Sequence, residues 1–113
     1  LIADSSMELY QCKLMVLHAA YKIENGQSFT SEVSMAKHFV ANSLWRIIDR
    51  AIQVHGALGY STDTPLAHML QQARWSRFAD GADEIHQMRI AQRTIAAYKD
   101  HGSTKSATGD LPL

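Results

Sequence analysis

Trp75-Ser76-Arg77-Phe78-Ala79-Asp80-Gly81-Ala82-Asp83-Glu84-Ile85-His86 joins the end of one helical pattern to the start of the next. A carboxylate therefore stands where a helix begins. As local chemistry, Asp80 is a good N-cap, and Asp83 and Glu84 fall in the first turn, where the helix dipole favours anions. The same Asp80, held at a cleft by a short glycine-flanked loop, is also a candidate general base, with a pKa adjusted by burial to work near neutral pH. Cap and base are compatible roles.

Outward from this junction the periodicity is helical nearly throughout, with four amphipathic segments and no period-2 alternation long enough for a sheet. The first, about residues 6–24, repeats Met7, Tyr10, Leu14, Leu17 and Tyr21 in one stripe and stops at Asn25-Gly26. The second, about residues 30–55, carries Val33, Ala36, Val40, Leu44, Ile47, Ala51 and Val54 on one line, and Met35, Phe39, Ile48 and Ile52 on an adjacent one. Two stripes imply contacts on two sides, as in the middle of a bundle or at a subunit interface. Residues 56–61 break the pattern, and Asp63-Thr64-Pro65 offers a cap followed by proline at the first helical position. A short helix is expected over residues 65–78 and a last one over about 82–98. The expected architecture is all-α, an antiparallel helical bundle over residues 1–99, followed by a flexible Ser/Thr/Gly/Pro tail over 100–113.

Composition bounds the function. A chain of 113 residues that is 46% apolar fits one small domain with one core. Its 11 basic and 11 acidic side chains balance, which gives no electrostatic footprint for nucleic acid or anionic lipid. The single Cys12 excludes an internal disulfide and suits a reducing compartment; beside Met15 and Val16 it reads as a buried, inert thiol. No apolar run approaches the roughly 20 residues that cross a bilayer. The chain begins at Leu1 with neither methionine nor a basic signal region, so it is expected to be a piece of something longer.

A second glycine-bearing segment, Ala51-Ile52-Gln53-Val54-His55-Gly56-Ala57-Leu58-Gly59-Tyr60, lies upstream. Gly56 and Gly59 can end the long helix through positive φ angles, or let backbone approach a phosphate-bearing cofactor with Gln53 supplying an amide one turn earlier. The spacing is neither that of a dinucleotide-binding fold nor that of a P-loop. Six histidines never form a helical i, i+4 pair, and the carboxylate-x-x-His pattern at Asp83 and His86 is half of a di-iron site whose other half is absent, so no metal is expected. Trp45 and Trp75 read as core or interface residues.

The order of these features resembles the C-terminal helical domain of the acyl-CoA dehydrogenase family: helix, turn, long helix, Gln-x-x-Gly-x-x-Gly-Tyr, short helix, carboxylate-Gly, last helix. The likeness runs from Leu1 to about Lys99. It implies FAD as cofactor, with Gln53, Gly56 and Ala57 approaching the FAD of a neighbouring subunit and Gly81, Ala82 and Glu84 contacting flavin near Asp80. It also implies that Asp80 is the catalytic base. The family more often has glutamate there, and Ala-Asp-Gly-Ala-Asp-Glu-Ile-His is similar to a subset with aspartate. Departures stand at Ala57, usually a second glycine, at Ala82, often threonine, at Glu84, often glutamine, and at Gln71-Gln72, usually Arg-Asp; Arg74 keeps the family's basic residue. The missing start implies that the first helix of a four-helix bundle precedes Leu1.

What the resemblance implies is α,β-dehydrogenation of a fatty acyl-CoA in the full-length protein, a fragment such as this being inactive alone. Asp80 would take the α proton while the β hydrogen leaves as hydride to FAD, and the thioester oxygen would be stabilised by the Asp80 N–H and a flavin hydroxyl. Because aspartate is one methylene shorter than glutamate, a bulkier or branched acyl group is expected. A homodimer or homotetramer, an electron-accepting flavoprotein, and a bacterial cytoplasm or mitochondrial matrix follow from the same likeness. Alternatives are a nitroalkane oxidase or an acyl-CoA oxidase of the same fold, a member with its base on the preceding helix, or a non-catalytic helical oligomerisation domain.

Overall fold

The computed structural model describes residues 1–108. Its elements are α1 (Ile2–Glu24), α2 (Thr30–His55), a single turn α3 (Ala57–Tyr60), α4 (Leu66–Trp75), α5 (Asp83–His101) and a single turn α6 (Lys105–Thr108). Among the described residues there is no strand, and the all-α bundle expected from periodicity is the fold. No helix among them is long and apolar enough to cross a membrane.

α2 is the spine: α1 packs on one side of it and α4 and α5 on the other. Its 26 residues give a rod of about 39 Å at 1.5 Å per residue. The two-sided contact expected from its double stripe is met only in part within this chain, since Val33, Leu44 and Val54 of the first line stay exposed. Ala36, Ala41 and Ile48 are buried, and small Ser34 and Ser43 are buried with them, so that neighbouring helices approach closely. Cys12 is buried and free, as its stripe suggested.

α1 is arranged otherwise. Its apolar stripe points away from the spine, with Met7, Tyr10, Leu14, Leu17 and Tyr21 all exposed, Leu17 by 65%. Its other face meets α2 through charge: the Glu8 carboxylate accepts from Arg46 Nε at 2.7 Å and Arg50 Nη1 at 2.6 Å, and Lys22 Nζ donates to the buried Glu32 carboxylate at 2.6 Å. The Arg50 hydrogen bond, against burial and with help from Arg46, holds the Glu8 carboxyl below its usual range.

Four local expectations change. α1 begins at Ile2 rather than near residue 6. Residues 56–61 are not an open break: Gly56 ends α2 at φ 61°, after which Ala57–Tyr60 recover one helical turn. Gly59 does not have a positive φ; a Cβ there would lie 2.9 Å from Ile52 O and 3.0 Å from Ile52 Cα, so its glycine allows close approach of the turn to the end of α2. Of the expected tail, residues 100 and 101 belong to α5, Gly102 closes that helix in the left-handed conformation, and Ala107 of α6 is buried; residues 109–113 lie outside the described residues.

Candidate active site

Past Trp75 the chain makes a tight succession of turns, with the Trp75 carbonyl accepting from Phe78 N and Ala79 N. Arg74 lies over the Phe78 ring, 5.2 Å from its centroid. Asp80 then takes φ 54° and Gly81 φ 103°. Two successive positive φ angles reverse the chain into α5. Asp80 is the one non-glycine residue among those described in this region of φ, where aspartate is better tolerated than most residues at a cost of about 1–2 kcal/mol.

That conformation corrects the reading of Asp80 as an N-cap. An N-cap residue needs extended backbone, and here Ala82, at φ −65° and ψ 157°, holds the position with no side-chain cap hydrogen bond. The Asp80 carboxylate is exposed and no described residue pairs with it. The Asp80 and Gly81 amides also donate to no backbone carbonyl among the described residues. Two N–H groups and a carboxylate are therefore presented together from one turn. Burial of that carboxylate does not come from these helices.

Beneath the turn lies a polar cluster that the sequence reading did not single out. Asp83, which the sequence suggested as a helix-dipole anion, is buried and accepts from Arg77 Nε at 2.8 Å and Asn42 Nδ2 at 3.1 Å, while its own N–H donates to Arg77 O at 3.0 Å. His38 Nδ1 stands 3.3 Å from the other Asp83 oxygen, within ion-pair distance but not aligned as a hydrogen bond. Burial opposes ionisation of Asp83, but the bonds from Arg77 and Asn42, with the nearby His38 ring, prevail and hold its carboxyl below the usual range. Lys37 Nζ donates to Ser76 O at 2.6 Å and Gly81 O at 3.0 Å, bridging both ends of the loop. The signal in the sequence is faint: Lys37, His38 and Asn42 are polar residues set among the apolar lines of α2, with His38 and Asn42 one turn apart.

His86 closes the floor. It is buried, neither ring nitrogen has a well-aligned hydrogen-bond partner among the described residues, and its Nε2 lies 2.8 Å from where a Gly81 Cβ would be. Burial first, then the Lys37 charge, push its pKa down, with the Asp80 backbone opposing. Gly81 is thus required twice, by its φ and by the ring below it. Among the described residues no three His, Cys, Asp or Glu side chains gather as metal ligands.

The residues singled out from the sequence fall into two groups. Asp80, Gly81, Ala82 and Glu84 share the loop and first turn of α5. Gln53, Gly56 and Ala57 lie at the far end of α2, and from Lys37, which touches the first group, to Gln53 is roughly 24 Å of helix at 1.5 Å per residue. One chain does not bring them to a common point. Both groups keep polar or open positions that a ligand from outside could meet: the Gln53 and Glu84 side chains are exposed with no partner among the described residues, a Cβ on Gly56 would meet nothing within 4 Å, and the Asp80 and Gly81 amides donate to no described backbone carbonyl. Ala82 brings no hydroxyl, so it can offer flavin only contact.

A family model for the acyl-CoA dehydrogenase C-terminal domain matches residues 1–95. Acyl-CoA dehydrogenase family member 10 of Mus musculus is 43% identical over 96 residues, covering 83% of this chain and 9% of that protein. (R)-Benzylsuccinyl-CoA dehydrogenase of Thauera aromatica is 37% identical over 95 residues, covering 83% of this chain and 23% of that protein. Among solved structures, butyryl-CoA dehydrogenase of Megasphaera elsdenii aligns with TM-score 0.74 and 29% identity over 76% of this chain and 22% of that one. The chain therefore spans less than a quarter of the length of each of these three proteins.

Proposed function

We propose, starting from the fact that this chain belongs to the acyl-CoA dehydrogenase family as part of its C-terminal domain, that the full-length protein is an FAD-dependent enzyme that desaturates an acyl-CoA between the α and β carbons. The observation that carries this reading is the Asp80 turn, which presents an unpaired carboxylate beside two unused N–H donors. The α C–H bond breaks with its proton passing to Asp80, and the Asp80 N–H donates to the thioester oxygen as charge develops there. FAD, when bound, supplies the acceptor for the β hydride, so that the substrate loses two electrons and gains a C=C bond. Gly81, Ala82 and Glu84 would flank that flavin, and Gln53, Gly56 and Ala57 would reach the flavin of a second copy. The separation of the two groups along α2 supports a homodimer or homotetramer. So does the exposed stripe of α1.

The shorter reach of Asp80 favours a bulky or branched acyl group, and a relative named for benzylsuccinyl-CoA is in keeping with that. An electron-transferring flavoprotein would reoxidise the enzyme, and fatty acid metabolism is its setting. A single free Cys12 suits a bacterial cytoplasm or a mitochondrial matrix. The test is anaerobic titration of the full-length protein with a panel of acyl-CoA thioesters while following flavin absorbance. Bleaching by wild type that is lost in Asp80→Asn, with flavin still bound, is expected; bound flavin that no acyl-CoA reduces would turn the reading toward nitroalkane oxidation, and absence of flavin toward a non-catalytic oligomerisation domain.

A further inference from the structure

We infer that Lys37 is a positioning residue for Asp80: by bonding the carbonyls at both ends of the 76–81 loop, its ammonium group holds the left-handed turn that aims the Asp80 carboxylate and N–H. The inference rests on the dehydrogenase reading for its catalytic consequence and on geometry for the holding itself.

Lys37 comes from the N-terminal third of α2, 39 residues before Ser76 and 44 before Gly81, so the two bonds fasten the loop to the long helix on which the other helices pack. The first carbonyl belongs to the C-cap of α4, where the helix leaves acceptors unsatisfied and a cation is favoured. The second belongs to Gly81, adjacent to Asp80. A compact ammonium with three donors can serve two converging carbonyls; a planar guanidinium on a longer stem cannot do so from the same place. The groups that face Lys37 bear this out in their own way. Its charge helps keep the buried His86 ring neutral below Gly81, and a neutral ring tolerates the closeness of that turn. Asp83, bound to Arg77, ties down the segment between the two carbonyls. Without Lys37 the Gly81 carbonyl loses its only partner among the described residues, and a turn with two positive φ angles loses the tether that opposes its relaxation.

The experiment uses the full-length, flavin-loaded protein as wild type, Lys37→Met and Lys37→Arg, with two readouts. In the first, stopped-flow flavin reduction by an acyl-CoA is compared with the dissociation constant for the same thioester. Lys37→Met is expected to slow reduction roughly a hundredfold, the scale set by an ångström of misplacement, with thioester affinity near that of wild type. Lys37→Arg should fall between the two. Equal losses of rate and affinity, or an unchanged rate, would overturn the inference. The second readout is amide hydrogen exchange over residues 76–82, which does not depend on activity. Faster exchange in Lys37→Met, with α1 and the remainder of α2 still protected, supports the tether, and unchanged exchange sinks it. If wild-type flavin is not reduced by any acyl-CoA, the dehydrogenase reading fails by itself, and hydrogen exchange alone decides whether Lys37 holds the turn. Should Lys37→Met not retain flavin, Lys37→Arg carries both measurements.

Discussion

Two glycine turns, one at the end of α2 and one leading into α5, differ in what surrounds them. Gly56 stands in the open at φ 61°, with nothing within 4 Å of an added Cβ. Gly81, at φ 103°, is enclosed, with the His86 ring 2.8 Å from that Cβ, Lys37 on its carbonyl and Asp83 two residues on. The same residue type answers two demands: at Gly56 only the backbone angle matters, and at Gly81 angle and space both do. An open turn can receive a ligand from outside without moving, whereas the enclosed turn is set by the protein beneath it.

The largest effect expected from this contrast is that of Gly81→Ala. Strain at positive φ and displacement of His86 together should cost about 2–5 kcal/mol, against about 1–3 kcal/mol for Gly56→Ala, where strain acts alone. Urea unfolding of the full-length protein, followed by helix signal, measures both; equal losses would mean that the ring below Gly81 yields freely. Next comes Asp83→Ala, which removes the acceptor of Arg77 and Asn42. Arg77 keeps some access to solvent, so the expected loss is about 2–3 kcal/mol rather than the larger figure for a fully buried pair, and a change within experimental error would show the cluster to be dispensable.

The smallest effect is that of pH, and its sign follows from the depressed pKa values of His86 and Asp83, with that of Glu8 acting in the same sense as Asp83. His86 binds its proton less readily folded than unfolded, so its contribution is present above the unfolded value of 6.5 and is lost as pH falls from there through the lower folded value. Asp83 behaves in the same sense at lower pH: its contribution is present above the unfolded value of 3.8 and lost as pH falls through its depressed folded value. Melting temperature should therefore begin to decline below about pH 6.5 and decline again in strong acid. Replacing His86 by Gln should erase the first decline and leave the second. Persistence of the first in that variant would place its origin elsewhere.

The spine was legible because its punctuation is local. Asn25-Gly26 and Gly56 bracket α2 in the sequence, and the boundaries Thr30–His55 fall where glycine and periodicity put them. Asp80 and Gly81 were legible as a marked pair, and Asp80 as a cap was misread, since composition at a helix start does not report the sign of φ. The cluster of Lys37, His38, Asn42, Arg77 and Asp83 is non-local, with partners about 40 residues apart on α2 and the α4–α5 loop, and no spacing rule joins them. Periodicity likewise found the stripe of α1 but not its direction. The face that turns inward carries Cys12 and Ala19 together with Glu8 and Lys22, whose charges are paired on α2.

That inversion has a consequence for how the chain behaves in water. α1 spends its charges against α2 and leaves Met7, Tyr10, Leu14, Leu17 and Tyr21 on the outside, so one side of the domain is wetted like an oil film although the net charge is zero. With neither charge repulsion nor a polar coat on that side, dilution and the identity of whatever lies over α1, more than any single substitution, set whether the domain stays dispersed.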